Sequence, residues 1–328
     1  MSRPPAALTV EVHLDAADLD AALRADARAG LTATPKRLPP KWFYDARGSE
    51  LFEQITRLPE YYPTRREREI LAREAAAIAE RTGVDALVEL GSGTSEKTLL
   101  LLDAFAARDR LVAFTPFDVC EPVLRDVGPA LAARYEGLAV HAIVGDFERH
   151  LGHLPVDRPK LVAFLGGTIG NLEPPRRARF LADLRAAVRP GDWLLLGTDL
   201  VKDEARLVAA YDDAAGVTAE FDLNVLRVLN AALDGDLRPE LFVHEARWNR
   251  DERWIEMWLR STVDQTARLR ALDLDVHFTA GEGLWTEVSA KFTREVVVGE
   301  LDAAGFALDR WMTDAHGDFG LALAAVRP

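Results

Sequence analysis

The chain has 328 residues, of which 48% are hydrophobic and 28% charged, the balance of a globular protein with one or two domains. Its 53 acidic and 40 basic side chains give a formal net charge of −13. This negative charge disfavours nucleic acid as a partner, because phosphate backbones are bound by clustered Lys and Arg. Cys120 is the single cysteine, so we expect no internal disulfide and no thiolate zinc site.

The sequence carries no pattern typical of export or membrane insertion. The apolar run near the N-terminus is too short for a signal peptide and is interrupted by Glu11. No stretch approaches the roughly 20 apolar residues that cross a bilayer. With the single cysteine, this predicts a cytoplasmic protein without a membrane partner. No amphipathic repeat indicates an interface, so we expect a monomer.

The first sixty residues do not resemble the start of a parallel sheet. Residues 16–29 have helical spacing and end at Gly30, and a proline-rich loop follows. Residues 41–63 are rich in aromatic side chains around one short predicted helix. Three of the five tyrosines lie there: Tyr44, Tyr61 and Tyr62. That concentration favours a recognition surface over core packing alone.

A regular alternation of helices and strands begins at Thr64. Thr64 and Glu67 have the spacing of a capping box, and the helix that they would open continues to Gly83. The strand candidates that follow are 85–90, 110–119, 138–146, 160–166 and 192–198. Near-continuous apolar strands separated by helices predict a parallel sheet covered on both faces. The expected fold is a doubly wound α/β domain.

The alternation breaks after residue 201. A helical stretch near Leu207–Ala214 and β-like segments such as 246–262 precede a return to the α/β pattern after Lys291. We therefore predict a cofactor-binding domain made of residues 63–201 and 291–328. A substrate-binding domain would combine residues 1–62 and 202–290.

A glycine turn follows the first strand of the alternation. In residues 88–98 (VELGSGTSEKT), Gly91 and Gly93 permit a sharp turn that brings backbone N–H groups close to a ligand. Asp118 ends the second strand, where a carboxylate can accept the hydroxyls of a ribose. Asp146 ends the third strand, a position suited to an adenine. Tight packing of the turn and simple helix capping are the structural alternatives.

Two classes of cofactor suit such a crevice, a nicotinamide dinucleotide and S-adenosylmethionine. Ser95 stands where the dinucleotide fingerprint has its third glycine, and the turn matches the E/D-x-G-x-G form of class I methyltransferases better. The predicted strand hairpin at 307–327 also belongs to that fold. The sequence therefore favours a methyltransferase. An NAD(P)-dependent oxidoreductase and a non-catalytic ligand-binding protein are the alternatives.

Six motifs, in order along nearly the whole chain, resemble those of the bacterial L-histidine Nα-methyltransferases of ergothioneine biosynthesis. They are FYDARGSELFEQITRLPEYYPTRRE (43–67), VELGSGTSEKT (88–98), PFDVCE (116–121), FLGGTIGNL (164–172), GTDLVKD (197–203) and W-x-E-x-S (285–289). The resemblance implies a class I, Rossmann-like, S-adenosylmethionine-dependent methyltransferase domain with a discontinuous α+β substrate-binding domain. It also implies three successive methylations of the α-amino group of L-histidine, which give hercynine.

The resemblance implies roles for individual residues. The implied cofactor contacts are Gly91, Ser92 and Lys97 to the methionine end, Asp118 to the ribose, and Asp146 and Phe147 to the adenine. The amine and carboxylate of the amino acid would be held by Gly166, Asn171, Tyr44, Tyr61 and Tyr211. Glu287 and Ser289 would contact the imidazole, with Met257 and Phe52 packed around it.

Methyl transfer to nitrogen requires a neutral amine held in line with the sulfonium methyl group. Tyr44 and Asn171 are the residues that we expect to orient the amine, with solvent removing its proton. The seven histidines show no metal-ligand spacing, and His150 and His153 have no third ligand nearby in sequence, so we expect no metal. The alternative function is a methyltransferase of the same fold that acts on another amino acid or small amine.

Overall fold

The computed structural model describes residues 8–328, which divide into two units, each assembled from separate segments of the chain. The first unit contains residues 8–15, 65–200 and 292–328. The second unit contains residues 16–64 and 201–291.

The helices and strands have the following bounds. The strands are β1 (Leu8–Val12), β2 (Lys36–Arg37), β3 (Ala86–Leu90), β4 (Ala113–Asp118), β5 (Ala139–Val144), β6 (Lys160–Phe164), β7 (Trp193–Asp199), β8 (Phe242–Asn249), β9 (Trp254–Ser261), β10 (Gln265–Leu269), β11 (Leu274–Phe278), β12 (Gly283–Ala290), β13 (Phe306–Thr313) and β14 (Phe319–Val326). The helices are α1 (Ala16–Leu31), α2 (Ala46–Ile55), α3 (Pro63–Thr82), α4 (Leu99–Ala106), α5 (Glu121–Arg134), α6 (Pro174–Ala187), α7 (Glu204–Ala209), α8 (Val217–Leu233) and α9 (Arg294–Ala303). Within residues 8–328, no helix combines the length and apolar character needed to cross a membrane.

An eight-stranded sheet forms the centre of the first unit, in the order β1-β5-β4-β3-β6-β7-β14-β13. The strands from β1 to β7 in this order run parallel, whereas β14 pairs antiparallel with both β7 and β13. Every residue of β3 and β6 is buried, as expected for central strands covered on both faces. The predicted α/β fold class with a parallel sheet and a C-terminal hairpin is confirmed.

The N-terminal strand differs from the predicted domain division. We expected residues 1–62 to belong to the substrate-binding domain, but β1 pairs in parallel with β5, so residues 8–15 belong to the first unit. β1 is an edge strand of only five residues, and three of them are partly buried. Such a short, half-exposed strand lacks the continuous apolar pattern that identifies the central strands.

The second unit combines two small sheets with helices. Its four-stranded sheet has the order β2-β12-β9-β8, and β10 pairs with β11 in a separate hairpin. Buried side chains from α1, α2 and α8 pack with those of the sheet in one hydrophobic core. α8 supplies Phe221, Val225, Leu226 and Leu229 to that core. The unit is therefore an α+β assembly.

Two details of residues 202–290 differ from the sequence prediction. α7 ends at Ala209, so Tyr211, expected in a helix, lies in the turn before α8. The 17-residue helix α8 was not predicted, because its N-cap residue is Gly216, which has no capping side chain. The carboxylate of Asp213 caps it from further upstream, accepting the N–H groups of Val217 and Thr218 at 3.0 and 2.7 Å.

Candidate active site

The glycine turn after β3 has an open inner surface. Gly91 and Gly93 have φ values of +66° and +48°, which favour glycine, and a Cβ at either position would meet nothing within 4 Å. The backbone N–H groups of Gly91 and Ser92 donate to the Phe117 carbonyl at 2.8 and 3.1 Å. These bonds fix the turn against the end of β4 and leave space beside the glycines for a ligand.

Asp118, at the end of β4, is bonded to the same turn. Its Oδ2 accepts the Gly93 N–H at 2.9 Å, and its Oδ1 accepts the Cys120 N–H at 3.0 Å. Burial raises the pKa of the Asp118 carboxyl, although the backbone N–H groups oppose that shift. The carboxylate has about four lone pairs, more than these backbone bonds use, so Asp118 can still accept the predicted ribose hydroxyl.

Asp146 and Phe147 follow β5 at the same edge of the sheet. The Asp146 Oδ1 accepts the Glu148 N–H at 2.9 Å, and the Asp146 N–H donates to the His150 Nδ1 at 3.0 Å. The Phe147 ring packs edge-on against those of Phe164 and Phe180, with centroid distances of 5.1 and 5.6 Å. The local backbone and an aromatic cluster therefore hold both candidate adenine contacts.

Glu67 does not form the predicted capping box. α3 begins at Pro63, and the fully buried Glu67 carboxylate instead forms an ion pair with Lys97. The same carboxylate accepts the Gly166 N–H at 2.8 and 3.0 Å. A Cβ at Gly197 on β7 would lie 2.3 Å from the Glu67 Oε1, so a side chain there would displace the carboxylate. Glu67 thus connects two of the motifs, 88–98 and 164–172.

The segment after β6 turns sharply at two glycines. Gly166 and Gly167 have φ values of +80° and +71°, and a 3-10 helix over Thr168–Asn171 follows. The Thr168 hydroxyl donates to the Leu165 carbonyl at 3.1 Å, which braces this turn. Asn171 ends the 3-10 helix and is half-buried. The first unit therefore brings Gly166 next to Lys97 through their shared contact with Glu67.

Three buried polar atoms in or beside the glycine turn have no hydrogen-bond partner among residues 8–328. They are the Glu89 Oε2, the Ser92 Oγ and the Ser95 Oγ. Burial raises the pKa of Glu89 to about 7, although a hydrogen bond from the Thr98 hydroxyl opposes the shift. An unpartnered buried oxygen is costly unless a ligand satisfies it. These atoms and the open glycine turn fit a ligand with cationic or hydrogen-bonding groups, such as the methionine end of S-adenosylmethionine.

In the second unit, aromatic rings connect four predicted substrate residues. Tyr44 packs edge-on against Phe52 with centroids 5.6 Å apart, Phe52 against Tyr61 at 6.2 Å, and Tyr61 against Tyr211 at 6.2 Å. Phe221 of α8 also contacts Tyr44 and Phe52. Tyr61 and Tyr211 are 8% exposed, whereas Tyr44 is 43% exposed. These rings form one connected aromatic cluster, in which Tyr61 and Tyr211 belong to the hydrophobic core.

Tyr211, Ser289 and Lys291 form a closed triangle of hydrogen bonds. The Tyr211 hydroxyl and the Ser289 Oγ lie 2.8 Å apart, and the Lys291 Nζ donates to them at 2.8 and 2.7 Å. Lys291 is 3% exposed, and its ammonium also lies over the Tyr211 ring, 4.5 Å from the centroid. Lys291 could not be recognised from the sequence, because a lysine is rarely buried and nothing in its local pattern sets it apart.

Glu287 and Met257 are register partners on β12 and β9. A bulge between Trp285 and Glu287 shifts the register, and the Thr286 hydroxyl donates to the Met257 carbonyl at 3.0 Å. Glu287 and Ser289, two residues apart beyond this bulge, lie on the same face of β12. A bulge beside a binding residue commonly re-aims its side chain. Met257 is 1% exposed, whereas Glu287 is half-buried.

A buried histidine on β8, His244, forms a hydrogen bond with the backbone of Tyr211. The His244 Nδ1 lies 2.7 Å from the Asp222 Oδ2, and its Nε2 lies 2.8 Å from the Tyr211 carbonyl oxygen. Both partners accept hydrogen bonds, so both ring nitrogens donate when the ring is an imidazolium. Burial lowers the pKa of His244, but the bonds to Asp222 and Tyr211 outweigh it, and the net shift is upward.

Comparison with known proteins identifies the family. A family model described as "Histidine-specific methyltransferase, SAM-dependent" matches residues 23–326. The chain belongs to this family.

Two mycobacterial proteins are similar to this chain over nearly its whole length. The histidine N-alpha-methyltransferase of Mycolicibacterium smegmatis is 58% identical over 97% of this chain and 99% of its own length. The protein of the same name from Mycobacterium tuberculosis is 57% identical over 93% of this chain and 95% of its own length.

A fungal relative matches a smaller part of the chain. The ergothioneine biosynthesis protein 1 of Neurospora crassa is 34% identical over 62% of this chain, a match that covers 24% of the fungal protein. Membership of the histidine-specific methyltransferases makes this chain an S-adenosylmethionine-dependent enzyme. The class I methyltransferase fold expected from the resemblance is confirmed, and the oxidoreductase alternative is set aside.

Proposed function

We propose that this methyltransferase transfers three methyl groups in succession from S-adenosylmethionine to the α-amino nitrogen of L-histidine. The product would be hercynine, and the reaction would be the first step of ergothioneine biosynthesis. The observation that carries the proposal is the match to histidine-specific methyltransferases over residues 23–326. The names of the mycobacterial relatives, at 58% and 57% identity, support the α-amino nitrogen as the acceptor.

The first unit supplies the residues proposed to hold the cofactor, whose sulfonium group supplies the electrophilic methyl. Gly91 and Ser92 would face the methionine end, and Glu89 offers a buried carboxylate oxygen to its ammonium group. Lys97 is already paired with Glu67, so we propose that it contributes positive charge to the methionine carboxylate while remaining in that ion pair. Asp118 would accept a ribose hydroxyl with its remaining lone pairs.

The adenine end is assigned to the loop after β5. Phe147, packed against Phe164 and Phe180, would present one side of its half-buried ring to the base. Asp146 would accept a hydrogen bond from the exocyclic amine of the adenine. Its backbone bonds to Glu148 and His150 hold the carboxylate in a fixed position for that contact.

Tyrosine and amide groups are proposed to hold the reacting amine. Tyr44, Tyr61 and Tyr211 would bond to the amine and carboxylate, and Asn171 with the Gly166 backbone would complete the set. A buried carboxylate beside the amine would stabilise the ammonium form, which cannot attack. Neutral hydroxyls and amides can also rearrange as N–H donors are replaced by methyl groups. Positioning of the lone pair would then provide much of the acceleration.

The imidazole is assigned to β12. A neutral imidazole has one N–H donor and one acceptor nitrogen. Glu287 would accept the N–H, and Ser289, whose oxygen accepts a hydrogen bond from Lys291, would donate its hydroxyl proton to the acceptor nitrogen. Phe52 and Met257 would pack against the ring. This pairing would disfavour apolar side chains, because they would leave both polar groups unsatisfied.

Mass spectrometry of the reaction products tests the proposal directly. Purified protein is incubated with S-adenosylmethionine and L-histidine, with tyrosine and tryptophan in parallel reactions. We expect histidine to gain one, two and then three methyl groups on its α-nitrogen. Asp118→Ala should greatly reduce the yield, whereas Glu252→Ala, an exposed turn residue, should not. Failure to methylate histidine with the cofactor bound would redirect the assignment to another amino acid or small amine.

A further inference from the structure

A cluster of histidine and carboxylate side chains lies at the β1 edge of the first unit. Glu11 and His13 are on or next to β1, and His153 ends a 3-10 helix over Leu151–His153. One potential ligand atom from each of the three lies within 4.8 Å of the others. The His13 Nε2 is 2.5 Å from the Glu11 Oε1, and the His153 Nδ1 is 3.9 Å from the same oxygen.

The two imidazole rings are held face to face. The centroids of His13 and His153 are 3.5 Å apart, with an angle of 25° between the rings. The stacking brings the His13 Nε2 and the His153 Nδ1 to the same carboxylate oxygen of Glu11. A single ion could replace these direct contacts, because an imidazole binds metal through the lone pair of a deprotonated ring nitrogen.

His141 holds the opposite oxygen of the same carboxylate. It lies on β5, the strand that pairs with β1, and its Nε2 is 2.9 Å from the Glu11 Oε2. A ligating carboxylate is commonly oriented by a hydrogen bond to its second oxygen. The other oxygen of Glu11, Oε1, is left facing His13 and His153.

We propose that Glu11, His13 and His153 bind one Zn²⁺ ion, with His141 positioning the Glu11 carboxylate. Two imidazole nitrogens and one carboxylate oxygen form a donor set that suits Zn²⁺, with a fourth position open to water. Imidazole ligands disfavour Mg²⁺ and Ca²⁺, which take oxygen ligands. Spacing along the chain could not indicate this site, because β1 and the Leu151–His153 turn are joined by the fold rather than by sequence.

The ion would connect the edge strand to the loop that carries the proposed adenine contact. His150 lies between β1 and this loop. Its Nδ1 accepts the Asp146 N–H, and its ring centroid is 6.1 Å from that of His13. Binding of Zn²⁺ would therefore restrain residues 146–153 relative to β1. The proposal does not depend on the methylation reaction, because it concerns only side chains of this cluster.

Isothermal titration of Zn²⁺ into full-length, tag-free, chelator-treated protein tests the site. We expect one equivalent to bind, with affinity at least tenfold weaker in His153→Asn. His153 is exposed, so this variant should fold normally. His277→Asn is the matched control, because His277 is an exposed histidine bonded to Thr266. His141→Asn should weaken binding about 10- to 100-fold, as for loss of a supporting hydrogen bond.

Two further measurements identify the ligands without relying on affinity. Co²⁺ in place of Zn²⁺ should give the visible absorption of a tetrahedral site, and Glu11→Gln should abolish it. Zn²⁺ should also raise the melting temperature of the wild-type chain and of His277→Asn, but not of His153→Asn. Equal Zn²⁺ affinity in the wild type and His153→Asn, or no stoichiometric binding by the wild type, would overturn the proposal.

Discussion

A single carboxylate, that of Glu67, makes contact with three separate parts of the first unit. It pairs with Lys97 after the glycine turn, accepts the Gly166 N–H, and occupies space above Gly197 that a Cβ would fill. Removing a charged hydrogen-bond acceptor from such a position costs about 1.5–3 kcal/mol. Glu67 is therefore a positioning residue for the two loops that we assign to cofactor and substrate.

The substitution Gly197→Ala tests that role without removing the carboxylate. The new methyl group would lie 2.3 Å from the Glu67 Oε1, so the carboxylate would have to move away from Gly166. We expect kcat/KM for methylation to fall about 10- to 100-fold, as in Glu67→Gln. Gly299→Ala is the control, because Gly299 is an exposed helix residue with open space around it. Near-normal activity of Gly197→Ala would show that the Glu67 position does not matter.

Glu287 provides a test of substrate choice. In Glu287→Ala we expect kcat/KM for histidine to fall about 10- to 100-fold, since a charged hydrogen bond is lost, with discrimination against tyrosine and tryptophan reduced. Glu287→Gln should lie between this variant and the wild type, because it retains an oxygen acceptor. Steady-state kinetics with each amino acid provide the measurement. Unchanged histidine kinetics would remove Glu287 from contact with the ring.

At the scale of elements, His244 joins β8, α8 and the turn that carries Tyr211. It bonds to Asp222 of α8 and to the Tyr211 carbonyl, and its pKa is raised above the ordinary value of about 6.5. A group whose pKa is higher in the folded than in the unfolded protein contributes most to stability at pH values where it is protonated in both forms. This contribution is therefore fully present below about pH 6.5 and is lost as the pH rises through the folded pKa.

We expect the stability difference between wild type and His244→Gln to shrink as the pH rises. Denaturant unfolding between pH 5.5 and 9 would measure it, with His277→Gln as the exposed control. The wild-type advantage should be greatest at the acidic end of this range. A difference that is constant with pH would show that His244 does not carry a proton gained on folding.

The central strands could be predicted from sequence because burial on both faces leaves a continuous apolar run. β3 and β6 show this pattern in every residue, and they lie within the predicted segments 85–90 and 160–166. β1 and α8 could not be predicted in this way. β1 is half-exposed and pairs with a strand far along the chain, and the capping side chain of α8, Asp213, lies four residues before the helix begins.

Some residues of the candidate site could likewise be predicted from the sequence, and others could not. The glycine turn, Asp118 and the tyrosines lie in motifs that the family shares, so resemblance could point to them. Glu67 could not be recognised, because its spacing from Thr64 imitates a capping box while its partners lie at positions 97 and 166. Lys291 was missed for a related reason, since only the fold shows that its ammonium is buried beside Tyr211 and Ser289.

At the scale of the whole molecule, the cofactor should protect segments of the first unit, whereas L-histidine should also protect segments of the second unit. Hydrogen–deuterium exchange with S-adenosylhomocysteine should protect peptides covering residues 88–98, 118–121 and 146–153 in the first unit. At about 100 times its dissociation constant, the ligand should add about 2.7 kcal/mol of stability. L-Histidine added next should protect residues 283–291 in the second unit. Cofactor-induced protection absent from residues 88–98 would contradict the assigned site.

The division into discontinuous units also has a consequence for synthesis on the ribosome. Residues 16–64 belong with 201–291, but the 136 residues of Arg65–Leu200 are translated between them. At roughly 5–20 residues per second, this interval lasts roughly 7–27 s. During that time, the apolar side chains of α1 and α2 have emerged without their partners from α8 and β9. The nascent chain is therefore exposed to aggregation at this stage, and a chaperone that shields residues 16–64 would raise the yield of folded enzyme.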